Sequence, residues 1–418
     1  MTELTDVLRR HVITAEPGTP AAPGAVALVA RGDRVEVAAV GTREAGGGAP
    51  MRRDSIFRIA SIGKPLTAAA VMMLVDDGLI ALDDEVRRWL PELAAPMVVR
   101  LPDSAVDDVV PADRPITVED LLTFRAGYGF PSDFSLPAVQ PLFSELKQGP
   151  PMPQTLPGPD EWMATLSCIP MLGQPGEFWL YNTCSDIQGV LVARVTGRSF
   201  PDFLAERLFG PLGMADTGFH VPAAEFDRFT SFYRPDPAEE SGMRLVDAPG
   251  GQWSSAPAFP SGSGGMVSTV DDWYAFARML LAGGTFGGRR LLSADSVRLM
   301  STDHLTAQQR AAGTLFLSGQ GWGFGGSVDV NATDPWTTPG RYGWVGGSGT
   351  TAHIDPATGM TAIMLTQLEM SGPVPATPMH EFWKYAASAT AKAAAGTAKT
   401  ASGTTEPASA TTETADRS

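Results

Sequence analysis

The sequence predicts an α+β protein: an antiparallel sheet built from both ends of the chain, flanked by terminal helices, with a mostly helical lobe inserted between its two halves. Two observations predict this class. β-Rich runs flank a Gly32-Asp33 turn near the start of the chain, and a second such pair flanks a turn at 356–359 near its end. Between about 79 and 230 the sequence instead has helical periodicity and long loops.

The order of these elements suggests two lobes of one domain. A chain of 418 residues is long enough for two lobes or one large domain. We expect a domain over 1–388, with an α/β lobe at about 1–60 and 240–388 and a helical lobe at about 61–239. From about 389 the composition turns to Ala, Thr, Ser, Lys and Glu, which predicts a disordered tail over 389–418.

Composition argues against several partners and locations. The net charge of −15 disfavours nucleic acid or an anionic membrane as a partner. The sequence has no run of about 18 apolar residues that would span a bilayer. The acidic start, with Glu3 and Asp6, is unlike a signal peptide, so we expect a cytoplasmic protein. Cys168 and Cys184 are too few for a disulfide framework and are expected to be free thiols.

Helices are predicted from apolar periodicity and capping residues. They are an amphipathic helix over 3–13, one after Ser61 that runs to Gly78, a short one over 82–90, one capped by Thr117, one capped near Ser185 and ended by Gly197, one capped by Thr269 or Asp271 and ended at Leu281, and a last one over about 379–388. Residues 130–176 are rich in proline and poor in periodicity. A loop of that length is usually functional, so we expect it at the rim of a substrate site.

Ser61 and Lys64 form the candidate catalytic pair. They stand where an apolar segment meets a helix with Pro65 in its first turn, a position at which a missing N–H costs nothing. Residues three apart on a helix share one face, so the Lys64 amine can reach the Ser61 hydroxyl. A serine becomes nucleophilic when a neighbouring base takes its proton, and burial favours the neutral amine of a lysine. The helix N-terminus would add donors for a developing oxyanion.

The pattern Ser-x-x-Lys is short, and the sequence contains it twice. The second copy, Ser144 and Lys147, lies in a stretch rich in Pro and Gly with no helix to follow. The alternative for Ser61 is a helix cap beside a solvated lysine. Its place at the start of a helix, ahead of further motifs, favours catalysis at Ser61 over the second copy.

Several segments, in this order, resemble a known family. They are residues 57–64, 121–127, 175–181, 263–269 and 344–347. Together they are similar to the serine β-lactamase and penicillin-binding-protein superfamily, in particular to its class C-like branch, which includes the family VIII carboxylesterases. The resemblance covers about 20–385 and implies a β-lactamase/transpeptidase-like fold and an enzyme with no metal or organic cofactor.

The resemblance implies a role for each matching residue. Ser61 corresponds to the acylated serine, Lys64 to its activating lysine, and Tyr181 to the tyrosine that relays a proton between serine and leaving group. The alternative for Tyr181 is an aromatic packed at a helix entry. With Lys64 close by, we expect the phenolate form of Tyr181 to be easier to reach. The backbone N–H groups of Ser61 and Gly347 would form the oxyanion hole. The implied substrate-binding residues are Trp344, Gly346, Asn182 and Thr183.

Two departures from the family pattern bear on the substrate. Class C enzymes carry Tyr-x-Asn where this chain has Tyr181-Asn182-Thr183, so the polar side chain that orients lysine or substrate is displaced or replaced. Trp344 stands where the family's Lys-Thr-Gly or His-x-Gly motif places a cation that grips a substrate carboxylate. An indole offers only packing and one N–H, which favours neutral acyl substrates over penicillins or peptide C-termini. Weak β-lactam hydrolysis stays open.

Other chemistries have less support. An α/β-hydrolase needs a Gly-x-Ser-x-Gly elbow, which the sequence lacks, and without it His353 and Asp355 do not make a triad. The five histidines, at 11, 220, 304, 353 and 380, lack the His-Glu-x-x-His spacing of a zinc hydrolase. Residues 321–326 fit Gly-x-Gly-x-x-Gly without a following helix, so we interpret them as a turn.

We therefore expect a serine hydrolase, and specifically a carboxylesterase for short or medium acyl esters, with a small-molecule acyl substrate as its partner. A β-lactamase or D-amino-acid peptidase or amidase, and a transacylase or peptide cyclase of a biosynthetic pathway, share the acyl-enzyme and differ in the acceptor. The alternative from another class is a non-catalytic binding module. The joint presence of Ser61, Lys64 and Tyr181 argues against that alternative.

Overall fold

The structure is a computed structural model that describes residues 2–12 and 21–401. The helices are α1 Glu3–Val12, α2 Lys64–Asp76, α3 Val118–Leu122, α4 Gln140–Ser144, α5 Pro159–Ser167, α6 Thr183–Thr196, α7 Phe200–Leu204, α8 Gly210–Leu212, α9 Val270–Leu281, α10 Ala294–Met300, α11 Ala307–Ala312, α12 Thr314–Leu317 and α13 Thr377–Ala401. The strands are β1 Gly24–Arg31, β2 Arg34–Gly41, β3 Phe57–Arg58, β4 Met97–Val99, β5 Val109–Pro111, β6 Phe232–Pro235, β7 Met243–Asp247, β8 Val267–Ser268, β9 Thr285–Phe286, β10 Arg289–Arg290, β11 Gly321–Trp322, β12 Ser327–Val328, β13 Tyr342–Gly346, β14 Thr350–Asp355 and β15 Met360–Thr366.

Both ends of the chain contribute to one antiparallel sheet, as the sequence predicts. Its seven strands have the order β11-β12-β13-β14-β15-β1-β2. The first strand of the chain, β1, pairs with the last, β15, so that Ala25 lies opposite Thr366 and Arg31 opposite Met360. The predicted turn at Gly32-Asp33 joins β1 to β2, with Arg31 opposite Arg34. The α+β prediction is therefore confirmed.

Strand β1, which lies between β15 and the edge strand β2, is apolar on both faces because each face is covered. Val26 and Leu28 point into the main core, which they share with α2 and the helical lobe. Ala27 and Val29 point the other way, into a second core closed by the apolar sides of α1 and α13. Side chains point alternately to the two faces of a strand, so this one short apolar run contributes side chains to both cores.

Helix α2 lies at the centre of the molecule. Its residues from Lys64 to Leu74 are all buried, and it packs against α6 and α10. A helix that is apolar around its whole circumference is expected in this position. Lys64 is the one charged residue in this buried stretch, and it lies at the start of α2.

Helix caps explain where several predicted helices begin. Thr117 and Asp120 form a capping box at α3, and the Thr269 side chain accepts a hydrogen bond from the Asp272 amide at α9. Gly197 ends α6 in the left-handed conformation, with φ 66°. The residue at the start of α6 is Asn182, so this helix begins before the predicted cap at Ser185.

Three segments differ from their predictions. Residues 82–90 contain only a 3₁₀ turn, Val86–Arg88, because the chain turns into Pro91 instead of extending the helix. The long segment 130–176 contains α4 and α5; Pro159 starts α5 where a missing N–H is harmless. Helix α13 continues past 388 to Ala401, because this stretch is rich in alanine, the best helix former.

A disordered tail was predicted over 389–418, but α13 extends into its first part, as far as Ala401. The remainder, 402–418, lies outside the described residues. Among residues 2–12 and 21–401, no helix combines the length and the apolar character needed to cross a bilayer. Residues 321–326 form the hairpin of β11 and β12, as expected of a turn. Both cysteines are free: Cys168 is exposed and Cys184 is buried.

Candidate active site

Ser61 is held in a tight turn that packs against strands β13 and β14. It lies in a 3₁₀ turn, Ala60–Gly63, that enters α2, and Ala60 has a left-handed φ of 46°. The segment before it is tied to β14: the Thr350 hydroxyl donates to the Ile59 carbonyl over 2.8 Å. A non-glycine residue with positive φ is a strained conformation that often marks a functional site.

Lys64 contacts the Ser61 hydroxyl directly. Its Nζ lies 2.7 Å from Ser61 Oγ and donates to the Ser263 carbonyl over 2.6 Å. The side chain is fully buried. Burial lowers the pKa of Lys64 to about 7, partly opposed by the negative charge of Asp186. Near neutral pH a large fraction of this amine is therefore a free base beside the serine.

Asp186 supports this lysine from the first turn of α6, and sequence reasoning missed it. Its carboxylate accepts hydrogen bonds from the Ser261 hydroxyl at 2.7 Å, the Ser263 amide at 3.1 Å and the Ser263 hydroxyl at 3.0 Å. The carbonyl of the same Ser263 holds Lys64. Burial raises the pKa of Asp186, against the hydrogen bonds from the two serines and the charge of Lys64. The available clue was that Asp186 is the one acidic residue of α6.

Tyr181 completes the group around Ser61. Its ring lies beside the lysine, with Lys64 Nζ 4.6 Å from the ring centroid. Its hydroxyl accepts the indole N–H of Trp344 over 2.7 Å, and the Ser61 side chain is the other polar group that lowers the pKa of the phenol. Two main-chain hydrogen bonds to Phe130, of 2.8 and 2.9 Å, hold the tyrosine in place just before α6.

Tyr181 is a neutral phenol, contrary to the expectation of an accessible phenolate. Burial raises its pKa to about 12, although the hydrogen bonds with Ser61 and Trp344 lower it. The nearby lysine does not reverse this effect, because its own pKa is lowered to about 7 and it carries no charge in the pH range where the phenol would titrate. Lys64 is therefore the candidate base of the site, and Tyr181 is suited to donate a proton.

The strand edge next to Ser61 provides the candidate oxyanion site. Gly347 lies at the end of β13 and lines the same cavity as Ser61. Gly346 is packed against the serine turn: a Cβ at this position would lie 2.6 Å from the Ile59 carbonyl and 3.3 Å from the Ser61 amide nitrogen. Only glycine lets the two main chains approach this closely.

These groups open into a cavity of about 400 Å³ with a largely apolar wall. Phenylalanine and proline from the segment 130–176 form much of that wall, so the structure places this segment at the rim expected from the sequence. The cavity has two charged residues in its lining, Arg58 and Glu369. Each is ion-paired, Arg58 with Asp247 and Glu369 with Arg234.

Comparison with known proteins decides the family. A family profile described as Beta-lactamase matches residues 10–380. The chain belongs to the Beta-lactamase family. The resemblance to the serine β-lactamase and penicillin-binding-protein superfamily is thereby confirmed.

Two relatives and one solved structure illustrate this family membership. Protein Rv1367c of Mycobacterium tuberculosis (strain ATCC 25618 / H37Rv) is 39% identical over 355 residues, 82% of this chain and 85% of the relative. Esterase EstB of Burkholderia gladioli is 32% identical over 373 residues, 84% of this chain and 88% of the relative. The structure described as EstCE1, a hydrolase with promiscuous acyltransferase activity, has a TM-score of 0.74 at 24% identity, over 92% of this chain and 98% of that one.

Of the four predicted substrate-binding residues of this Beta-lactamase family chain, Asn182 alone lines the cavity, with an unusual φ of 86° just before α6. Gly346 packs against the serine turn and does not line the cavity. Thr183 does not line it; its hydroxyl is fully buried and donates to Gln148 over 2.7 Å. Trp344 is 3% exposed and lies behind Tyr181, so its predicted contact with substrate is replaced by a contact with the tyrosine.

The competing motifs do not assemble a second site. His353 is buried in β14, where its Nδ1 lies 3.1 Å from the Thr351 hydroxyl, and burial holds its pKa well below the ordinary value. Lys147 donates to the carbonyl of Ser144 and not to its hydroxyl. Of the two copies of this four-residue pattern, only that at Ser61 brings a buried lysine amine against the serine hydroxyl.

Proposed function

We propose that this chain is a carboxylesterase that hydrolyses short or medium acyl esters through an acyl-Ser61 intermediate. Family membership and the esterase relative EstB support the broader assignment as a serine hydrolase. The observation that carries the proposal is the 2.7 Å contact between Ser61 Oγ and a fully buried Lys64 amine whose pKa is about 7.

In the acylation step, Lys64 takes the Ser61 proton while Oγ attacks the ester carbonyl carbon. The carbonyl oxygen gains negative charge, and the backbone N–H groups of Ser61 and Gly347 would stabilise it. The C–O bond to the alcohol then breaks. Tyr181 gives the leaving oxygen its proton, and the Lys64 ammonium, which lies beside the tyrosine ring, returns the proton taken from Ser61 to the phenol. In deacylation Lys64 takes a proton from a water molecule while its oxygen attacks the acyl carbonyl carbon. The bond from that carbon to Ser61 Oγ then breaks, and Lys64 returns the proton to Oγ as the acid leaves.

The charges around the cavity favour a neutral acyl substrate. Penicillins and peptide C-termini carry a carboxylate that needs a cation. Arg58, the single cation in the cavity lining, is 3% exposed and already bonded to Asp247. Trp344 supplies no charge, and its N–H is used by Tyr181. An uncharged ester leaves no such group unpaired.

The test compares hydrolysis of p-nitrophenyl butyrate and a chromogenic cephalosporin by wild type, Ser61→Ala and the matched control Ser144→Ala. Intact mass is measured early in each reaction. The proposal expects ester turnover and a butyryl adduct in wild type and Ser144→Ala, and neither in Ser61→Ala. Faster cephalosporin than ester turnover would overturn the esterase assignment. An adduct that persists until an alcohol is added would indicate acyl transfer, and no adduct would indicate a binding module.

A further inference from the structure

Four phenylalanines form a contiguous cluster on the cavity wall. They are Phe130, Phe134, Phe143 and Phe316. The Phe130 and Phe143 rings are stacked with centroids 4.8 Å apart, and Phe134 lies 5.9 Å from Phe316 in an edge-on arrangement. This set is called the phenylalanine cluster below. It is built from the segment 130–144 and from helix α12, which are remote in sequence.

The cluster is partly open to solvent, which is costly unless something binds there. Phe134 and Phe143 are 36% and 37% exposed although both pack against other aromatic rings. Contiguous exposed apolar surface of this kind marks a binding site for an apolar group. Pro150 and Pro151 extend the apolar wall on the same cavity.

The cluster lies on the side of Ser61 occupied by Tyr181. The Phe316 ring centroid is 4.6 Å from that of Tyr181, and Phe130 is joined to Tyr181 by two main-chain hydrogen bonds. In the proposed reaction Tyr181 protonates the oxygen of the departing alcohol. The group attached to that oxygen therefore meets the phenylalanine cluster.

We infer that the phenylalanine cluster binds the alcohol half of the ester, and that this half is a bulky, uncharged aromatic or alicyclic group. The inference rests on the proposed function, since it uses Tyr181 to locate the leaving oxygen. Flat aromatic walls bind rings through stacking and edge-on contacts as well as through apolar burial. The two charged residues of the lining are ion-paired, so an uncharged alcohol leaves no group without a partner.

The experiment varies the alcohol while the acyl group stays constant. Methyl, benzyl and 1-naphthylmethyl butyrate are hydrolysed by wild type, Phe134→Ala, Phe143→Ala and the control Phe286→Ala, a half-buried phenylalanine outside the cavity lining. Wild type should prefer the naphthylmethyl ester. The ratio of kcat/KM for naphthylmethyl to methyl ester should fall by roughly tenfold in each cavity variant and remain unchanged in Phe286→Ala.

A second series keeps methanol as the alcohol and enlarges the acyl group from acetyl to benzoyl. If Phe143→Ala selectively impairs the large acyl groups instead, the cluster is an acyl site and the inference is wrong. A uniform loss for all esters would indicate a structural role and would also overturn it.

Binding of 1-naphthylmethanol, measured by calorimetry, separates this inference from the proposed reaction. Weaker binding to Phe143→Ala, by roughly tenfold, supports the cluster as a site for the alcohol even if no ester is hydrolysed. Equal binding to wild type and both cavity variants contradicts it. Failure of the proposed function is seen independently as the absence of a Ser61 acyl adduct.

Discussion

Trp344 donates its indole N–H to the hydroxyl oxygen of Tyr181 over 2.7 Å. This hydrogen bond occupies one acceptor position of the phenol, and it lowers the pKa of Tyr181, as the Ser61 side chain also does. A side chain that the family pattern associates with substrate recognition thus contacts Tyr181. We expect Trp344 to act as a positioning residue for Tyr181.

Trp344→Phe should therefore lower kcat for an ester substrate by about tenfold, with a smaller effect on KM, because it removes one buried hydrogen bond to Tyr181. The matched control is Trp322→Phe. Trp322 packs edge-on against Trp344 with centroids 4.8 Å apart, but its own N–H has no hydrogen-bond partner. Equal loss of kcat in both variants would show that packing, and not the N–H, is the contribution of Trp344.

The pH dependence of the reaction should follow the lysine. The pKa of Lys64 is lowered to about 7, and the base must be neutral, so activity is present above this pKa and lost below it. We expect kcat/KM to fall by about tenfold per pH unit on the acidic side. Tyr181, with its pKa raised to about 12, should cause no loss up to pH 9. If kcat/KM instead begins to fall only near the ordinary pKa of a carboxylic acid, the base is another residue.

Asp186→Asn should move the fall of kcat/KM on the acidic side to lower pH. The negative charge of Asp186 raises the pKa of Lys64, so its removal leaves burial to lower that pKa further. Asparagine retains an oxygen that can accept from Ser261 or Ser263, which limits the structural change. The measurement is the pH profile of kcat/KM for wild type and variant.

The control for this shift is Asp272→Asn. Asp272 is also buried and accepts a hydrogen bond from the Thr217 hydroxyl at 2.8 Å, but its charge does not act on Lys64. Its replacement should not change the pH at which kcat/KM falls. If that pH is unchanged in Asp186→Asn, or shifts to a higher value, the electrostatic role of Asp186 is contradicted.

Gly346→Ala should destabilise the fold and impair catalysis together. The added Cβ would lie 2.2 Å from the Thr350 hydroxyl and 2.6 Å from the Ile59 carbonyl, so the strand must move away from the serine turn. We expect the free energy of unfolding in urea to fall by about 2 kcal/mol. Gly347→Ala is the matched comparison, because a Cβ there meets nothing within 4 Å, and its unfolding free energy should change little. Equal stability of the two variants would refute the steric argument.

Local sequence patterns were sufficient for the parts of the fold that depend on neighbouring residues. The hairpin of β1 and β2, the caps at Thr117 and Thr269 and the glycine end of α6 each depend on a few consecutive residues. The segment 130–176 was less predictable, because its two short helices are stabilised by burying Leu142 of α4 and Trp162 and Met163 of α5 in the main core more than by their own periodicity.

The sequence by itself determined the family, the α+β class and the serine–lysine pair, since these depend on motif order and on residues three apart. Tertiary structure alone decided the chemistry of that pair. Ser61 and Ser144 are followed by lysine at the same spacing, but only Lys64 is buried, and burial lowers its pKa to about 7. The burial of Lys64, the support from Asp186 and Ser263, and the contact of Trp344 with Tyr181 all join residues far apart in the chain. Such long-range contacts set desolvation and charge, which no local pattern encodes.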